Sequence, residues 1–186
     1  MGYPWYEEIY KSCELTQGDV IYDCLIPLPK KEWFQAIANN EEKIEGSLDM
    51  QQANIVILSQ ACDISNDKID FIVACPIWPL DKWAQGGDYY KSSGGRKSLR
   101  QGKEPAYHLL NKHCSDAITH EYSVVDFHRI YSLPKSYLET IAEGIKVRLR
   151  LLPPYREHLS QAFARYFMRV GLPVPVDIDK KAIGKI

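Results

Sequence analysis

Three side chains in this sequence carry the chemistry of proton transfer and phosphate stabilisation: Asp63, His108 and Arg100. A carboxylate or a neutral imidazole takes a proton, and a guanidinium stabilises charge developing on phosphorus. Asp63 stands in Gln60-Ala61-Cys62-Asp63, a polar turn directly after an apolar run. A strand end of this kind sets polar side chains over the mouth of a small barrel. Cys62 beside it is a nucleophile only if its thiolate is favoured. Asp63 and Asn66 suit local backbone bonding in a turn equally well.

Two basic clusters have the composition of a phosphate or acidic-partner surface. The first is Arg96, Lys97, Arg100 and Lys103, inside the glycine-rich stretch 85–103 with Tyr89 and Tyr90. Guanidinium forks grip phosphate, and tyrosine rings stack on bases. Gly94-Gly95-Arg96-Lys97-Ser98 lacks the spacing of a P-loop. The stretch reads as a flexible loop, and a purely solvated loop has the same composition. The second cluster is Lys146, Arg148 and Arg150, alternating with apolar residues at strand period, followed by Arg156, Arg165 and Arg169. Lying together, these cations would bind RNA or an acidic protein. They would serve equally well as counter-charges for the acidic half of the chain.

That acidic half is plain in the distribution of charge. The formal net charge is -1 over 186 residues, but residues 1–90 hold fifteen acids and six lysines, and no arginine precedes Arg96. Residues 91–186 hold seventeen basic residues and nine acids. Such asymmetry marks a nucleic-acid or acidic-partner face, or two halves that face each other within the chain or across a homodimer.

Metal chemistry finds little support. The five cysteines form no CxxC pair, and His113-Cys114 with His120 makes at most part of a site. No metal and no cofactor is expected. With 45% hydrophobic and 25% charged residues the composition is that of a globular domain. No apolar run reaches the roughly 18 residues of a membrane helix. Met1–Tyr6 has neither the basic nor the apolar region of a signal peptide. These features predict a cytoplasmic protein with no membrane contact.

The elements that must position these groups follow from periodicity. Trp5, Ile9 and Cys13 at i, i+4 predict a helical segment over 1–16. Val20 to Ile26, Ile55 to Ser59 and Ile69 to Ile77 read as strands, with a helical insertion over 30–53. Residues 122–125 and 128–131 read as a bent strand pair, Pro134 to Gly144 as a helix, and Ile145 to Leu151 as a strand. A final helix begins at Tyr155 and runs to about Val170, with an extended tail after it. The expected units are therefore 1–16, a barrel over 17–143 and a strand, helix and tail over 144–186. The fold class is mainly β with added helices, a small barrel carrying a C-terminal helix.

The order of motifs resembles the PemK/MazF-like toxins, whose fold is a small SH3-like barrel. The resemblance rests on Gly18-Asp19-Val20-Ile21, the apolar strand Ile55 to Ser59, Val73-Ala74-Cys75-Pro76-Ile77, and Val125-Asp126-Phe127-His128-Arg129-Ile130 before Leu133-Pro134. It covers roughly residues 17–143 and implies a bacterial, metal-independent endoribonuclease neutralised by an acidic antitoxin. The family's arginine before the second strand is replaced here by Gln51-Gln52-Ala53-Asn54, and its hydroxyl after Pro-Ile by Trp78-Pro79. The family's cutting residues therefore do not carry over. The reading that follows is a PemK/MazF-like protein of a toxin–antitoxin or phage-defence system. It would bind RNA or an acidic protein through its arginine-rich second half. Two alternatives stand beside it: a ribonuclease with relocated groups (Arg96 or Arg100 with Asp63 or His108), and a non-catalytic adaptor of a larger defence complex.

Overall fold

The computed structural model describes residues 3–40 and 46–168. Its strands are β1 (Tyr6–Tyr10), β2 (Asp19–Leu28), β3 (Asp49–Ile57), β4 (Phe71–Pro79), β5 (Tyr107–Leu110), β6 (His113–Cys114), β7 (Thr119–His120), β8 (Ser123–Asp126), β9 (Tyr131–Pro134) and β10 (Val147–Leu151). Its helices are α1 (Lys31–Ala38), α2 (Ala61–Ser65), α3 (Leu80–Ala84), α4 (Asp88–Lys91), α5 (Ser93–Arg100), α6 (Lys135–Gly144) and α7 (Tyr155–Phe167). The mainly β class with added helices holds. The main sheet is antiparallel in the order β1-β10-β2-β3-β4-β8-β5, with β9 also on β4. Among the described strands this path has two ends, β1 and β5, and does not close into a barrel. No described helix is long and apolar enough to cross a membrane.

The central strands are apolar without alternation because both faces are covered. Val20, Val56, Cys75, Val125 and Leu149 pack on one side with Leu159 and Ala162 of α7. Their neighbours Ile21, Ile55, Ile57, Ile72 and Ala74 pack on the other with Leu138 and Ala142 of α6. β4 spans the molecule: Phe71–Ala74 pair with β9, and Ile77–Pro79 pair with β8. The bent pair expected near residues 122–131 is thus two strands on one edge of β4. Asp126 caps the turn between them, its Oδ1 accepting from the His128 amide at 3.0 Å.

Four expectations are corrected. Within 1–16, residues Tyr6–Tyr10 form a strand, with Tyr6 opposite Leu151 and Tyr10 opposite Val147. The i, i+4 apolar spacing is compatible with either state, and pairing to β10 decides it. Among the described residues of the expected helical insertion over 30–53, Lys31–Ala38 form α1, whereas Asp49–Ala53 already belong to β3. The polar turn at Cys62-Asp63 is a helical turn, α2. The expected flexible loop 85–103 folds into α4 and α5. Ser92 caps α5 by accepting from the Gly95 amide at 3.0 Å, and Leu99 is buried. Gly95 serves close packing here: a Cβ would lie 2.3 Å from the Tyr89 carbonyl oxygen.

Candidate functional site: a cationic cleft between β5, α5 and α7

The alternating strand β10 does not present its cations to solvent. Asp19 opens β2 and is fully buried, and an unpaired buried carboxylate is costly. Arg148, also fully buried, donates from Nε to Asp19 Oδ2 at 3.1 Å and from Nη1 to the Ser12 carbonyl at 2.6 Å. Its Nη2 donates to the Glu14 carbonyl. Arg150, largely buried, donates from Nε to Asp19 Oδ1 and from Nη2 to Oδ2 at 3.0 Å. These two arginines clamp residues 12–14 and β2 to β10, and they are corrected from binding residues to structural ones. Lys146 is exposed just before β10. Arg169 lies outside the described residues.

Three of the residues singled out by chemistry do meet. Arg100 at the end of α5, His108 on β5 and Arg165 on α7 line one cleft of about 490 Å³. Local sequence explains the α7 wall: Tyr155, His158, Ala162 and Arg165 follow helical spacing and share a face. Trp5 stacks on Tyr155 with ring centroids 3.7 Å apart and planes 10° from parallel. The Leu152 amide donates to the Trp5 carbonyl at 2.9 Å, fixing the chain as it enters α7. Gln161 and Tyr107 complete the polar and aromatic lining.

The electrostatics of this cleft favour an anion. Arg100 and Arg165 are exposed, and neither forms an ion pair among the described residues. Glu104 also lines the cleft, and its Oε1 accepts from the Tyr89 hydroxyl at 2.6 Å. His108 is held neutral. Burial pushes its imidazole down to about 4, and the nearby His158 and Arg165 push in the same direction. Its Nε2 is buried and has no hydrogen-bond partner among the described residues.

The other candidates lie elsewhere. Asp63 is in the first turn of α2 and does not line the cleft. Its Oδ1 is 3.7 Å from Cys62 Sγ. Arg96 lines a separate depression with Asp81 and Glu121. Lys97 and Lys103 are exposed beside the cleft-lining segment without lining it. His113 and His120 pair across β6 and β7, where His113 Nε2 meets Glu8 at 2.9 Å and His120 Nδ1 meets the Tyr22 hydroxyl at 2.8 Å. Sequence reading passed over His158. Its spacing of three from Tyr155 and seven before Arg165 was the available signal. Comparison with protein-family models, with curated proteins and with solved structures returned no match.

Proposed function

We propose that this chain binds single-stranded RNA in the cleft between β5, α5 and α7. The observation that carries this reading is the convergence of unpaired Arg100 and Arg165 on half-buried His108, beside stacked aromatic rings. Guanidinium groups meet phosphates, and aromatic faces meet unstacked bases. An acidic protein partner is the weaker reading, because the cations it would need on β10 are spent on Asp19. The resemblance to PemK/MazF-like proteins supports the same direction, and with it a setting in bacterial toxin–antitoxin or phage defence. Three of its four motifs fall on the antiparallel run β2-β3-β4, and the fourth falls at β8 and β9 on the next strands of a sheet that stays open.

The test is titration of a labelled, unstructured RNA at a series of salt concentrations. Affinity should fall steeply with salt and drop in Arg100→Ala and Arg165→Ala. Salt-independent or absent binding overturns the proposal.

Metal-independent cleavage of that RNA is a second reading, favoured by one observation. A neutral His108 and a second imidazole, His158, line the same cleft as two arginines. On this reading neutral His108 takes a proton and the arginines stabilise charge on the phosphate. Discrete RNA fragments formed in excess chelator, and lost in Arg100→Ala, would establish it. Intact RNA would leave the protein a binder.

A further inference from the structure

Beside the cleft, on the far side of Tyr107, lies a second cavity of about 350 Å³. Its walls are Trp78, Trp83, Tyr90 and Tyr107, and Asp126 is the one carboxylate that lines it. The rings stand at steep angles to one another. Trp83 and Tyr90 have centroids 4.6 Å apart at 56°, Trp83 and Tyr107 5.5 Å at 79°, and Tyr90 and Tyr107 5.8 Å at 80°. The polar group that the enclosed part of this lining offers is the Asp126 carboxylate. Trp83 is only 7% exposed, and its indole N–H has no acceptor among the described residues. Asp126 is largely buried, with Oδ1 held by the His128 amide at 3.0 Å and by His128 Nδ1 at 2.9 Å. Tyr107 lines both this cavity and the cationic cleft.

We propose that this cavity receives one unpaired RNA base, and that Asp126 selects a base bearing an exocyclic amine, cytosine above uracil. The inference rests on the RNA reading of the adjoining cleft and adds its specificity. A strand whose phosphates lie over Arg100 and Arg165 has Tyr107 as the wall shared with the cavity. A base turned past that wall gains stacking on the Trp83, Tyr90 and Tyr107 rings. Within the cavity, Asp126 Oδ2 accepts from the amine of cytosine. Uracil has the same size and stacks as well. It places a carbonyl oxygen where cytosine has its amine, and a carboxylate repels that oxygen. Lys82, exposed and also lining the cavity, favours the phosphate that follows the base.

The experiment compares labelled oligocytidylate and oligouridylate of equal length, bound to the full chain at low salt. Wild-type protein should prefer oligocytidylate by about tenfold. Asp126→Asn should abolish the preference by weakening oligocytidylate binding, with oligouridylate affinity unchanged or raised. The thermal midpoint of Asp126→Asn should confirm a folded protein. Equal, salt-dependent binding of the two oligomers by wild type would overturn the base pocket and leave the cleft reading intact. A preference that survives in Asp126→Asn would overturn it as well. Failure to bind either oligomer would overturn the RNA reading and this inference with it.

Discussion

Arg148 on β10 and Asp19 on β2 meet at 3.1 Å with neither side chain exposed to solvent. The pair joins adjacent strands, since Arg150, two residues on, is the register partner of Asp19. Removing one member of a buried pair leaves the other charge without compensation. Arg148→Ala should therefore cost about 3–5 kcal/mol of folding stability. The double variant Asp19→Leu/Arg148→Met should cost less than the single change. Urea denaturation of the three proteins measures both.

The cleft arginines behave in the opposite way. Arg100→Ala and Arg165→Ala remove exposed side chains and should leave the thermal midpoint within a degree or two. Each should reduce the slope of log affinity against log salt by about 0.7 for single-stranded RNA. Anisotropy titrations at four salt concentrations supply the slopes.

Acid should weaken the fold through two imidazoles. His108 and His120 are both held down to about 4 by burial, from an ordinary value near 6.5. In the unfolded chain these groups take up protons as pH falls through the ordinary value, while the folded chain does so only near 4. The unfolded state then binds more protons, so stability falls with falling pH across that window. His108→Leu removes one of the two contributions and should flatten the slope between pH 6.5 and 4. Urea midpoints at pH 7, 5.5 and 4.5 read the difference.

Gly95 offers a test of how the α4–α5 segment is built. A Cβ there would fall 2.3 Å from a backbone carbonyl oxygen, which no rotamer change relieves. Gly95→Ala should cost about 1–3 kcal/mol by overpacking. The loss should show first as faster amide exchange in Ser93–Gln101, with β2 and β3 protected as before. RNA affinity should fall with it, because Arg100 is carried by that helix.

Much of the fold was legible because it rests on local signals. Continuous apolar runs at Ile55–Leu58 and Phe71–Ile77 announce strands covered on both faces, and Pro134 with Gly144 brackets α6. The α7 helix begins at Tyr155, where the spacing of its apolar stripe places it. Residue type singled out Arg100, His108 and Arg165, but it singled out Asp63, Arg96, Arg148 and Arg150 equally, and those do not line the cleft.

Tertiary structure decided the rest, because it depends on partners far away in sequence. Whether Tyr6–Tyr10 is helix or strand turns on β10, more than a hundred residues later. Whether Arg148 and Arg150 face solvent turns on the burial of Asp19, and a strand's alternation is the same for an outer face as for an inner one lined with a counter-charge. The glycines at 94 and 95 read as flexibility in one dimension, and in three the second of them is a close contact between α4 and α5. The cleft itself needs α5, β5 and α7 side by side, and no spacing in the chain encodes that meeting. Charge and hydrophobic period are properties of a segment, whereas burial and pairing are properties of the packed chain, and this protein's candidate site is made of the second kind.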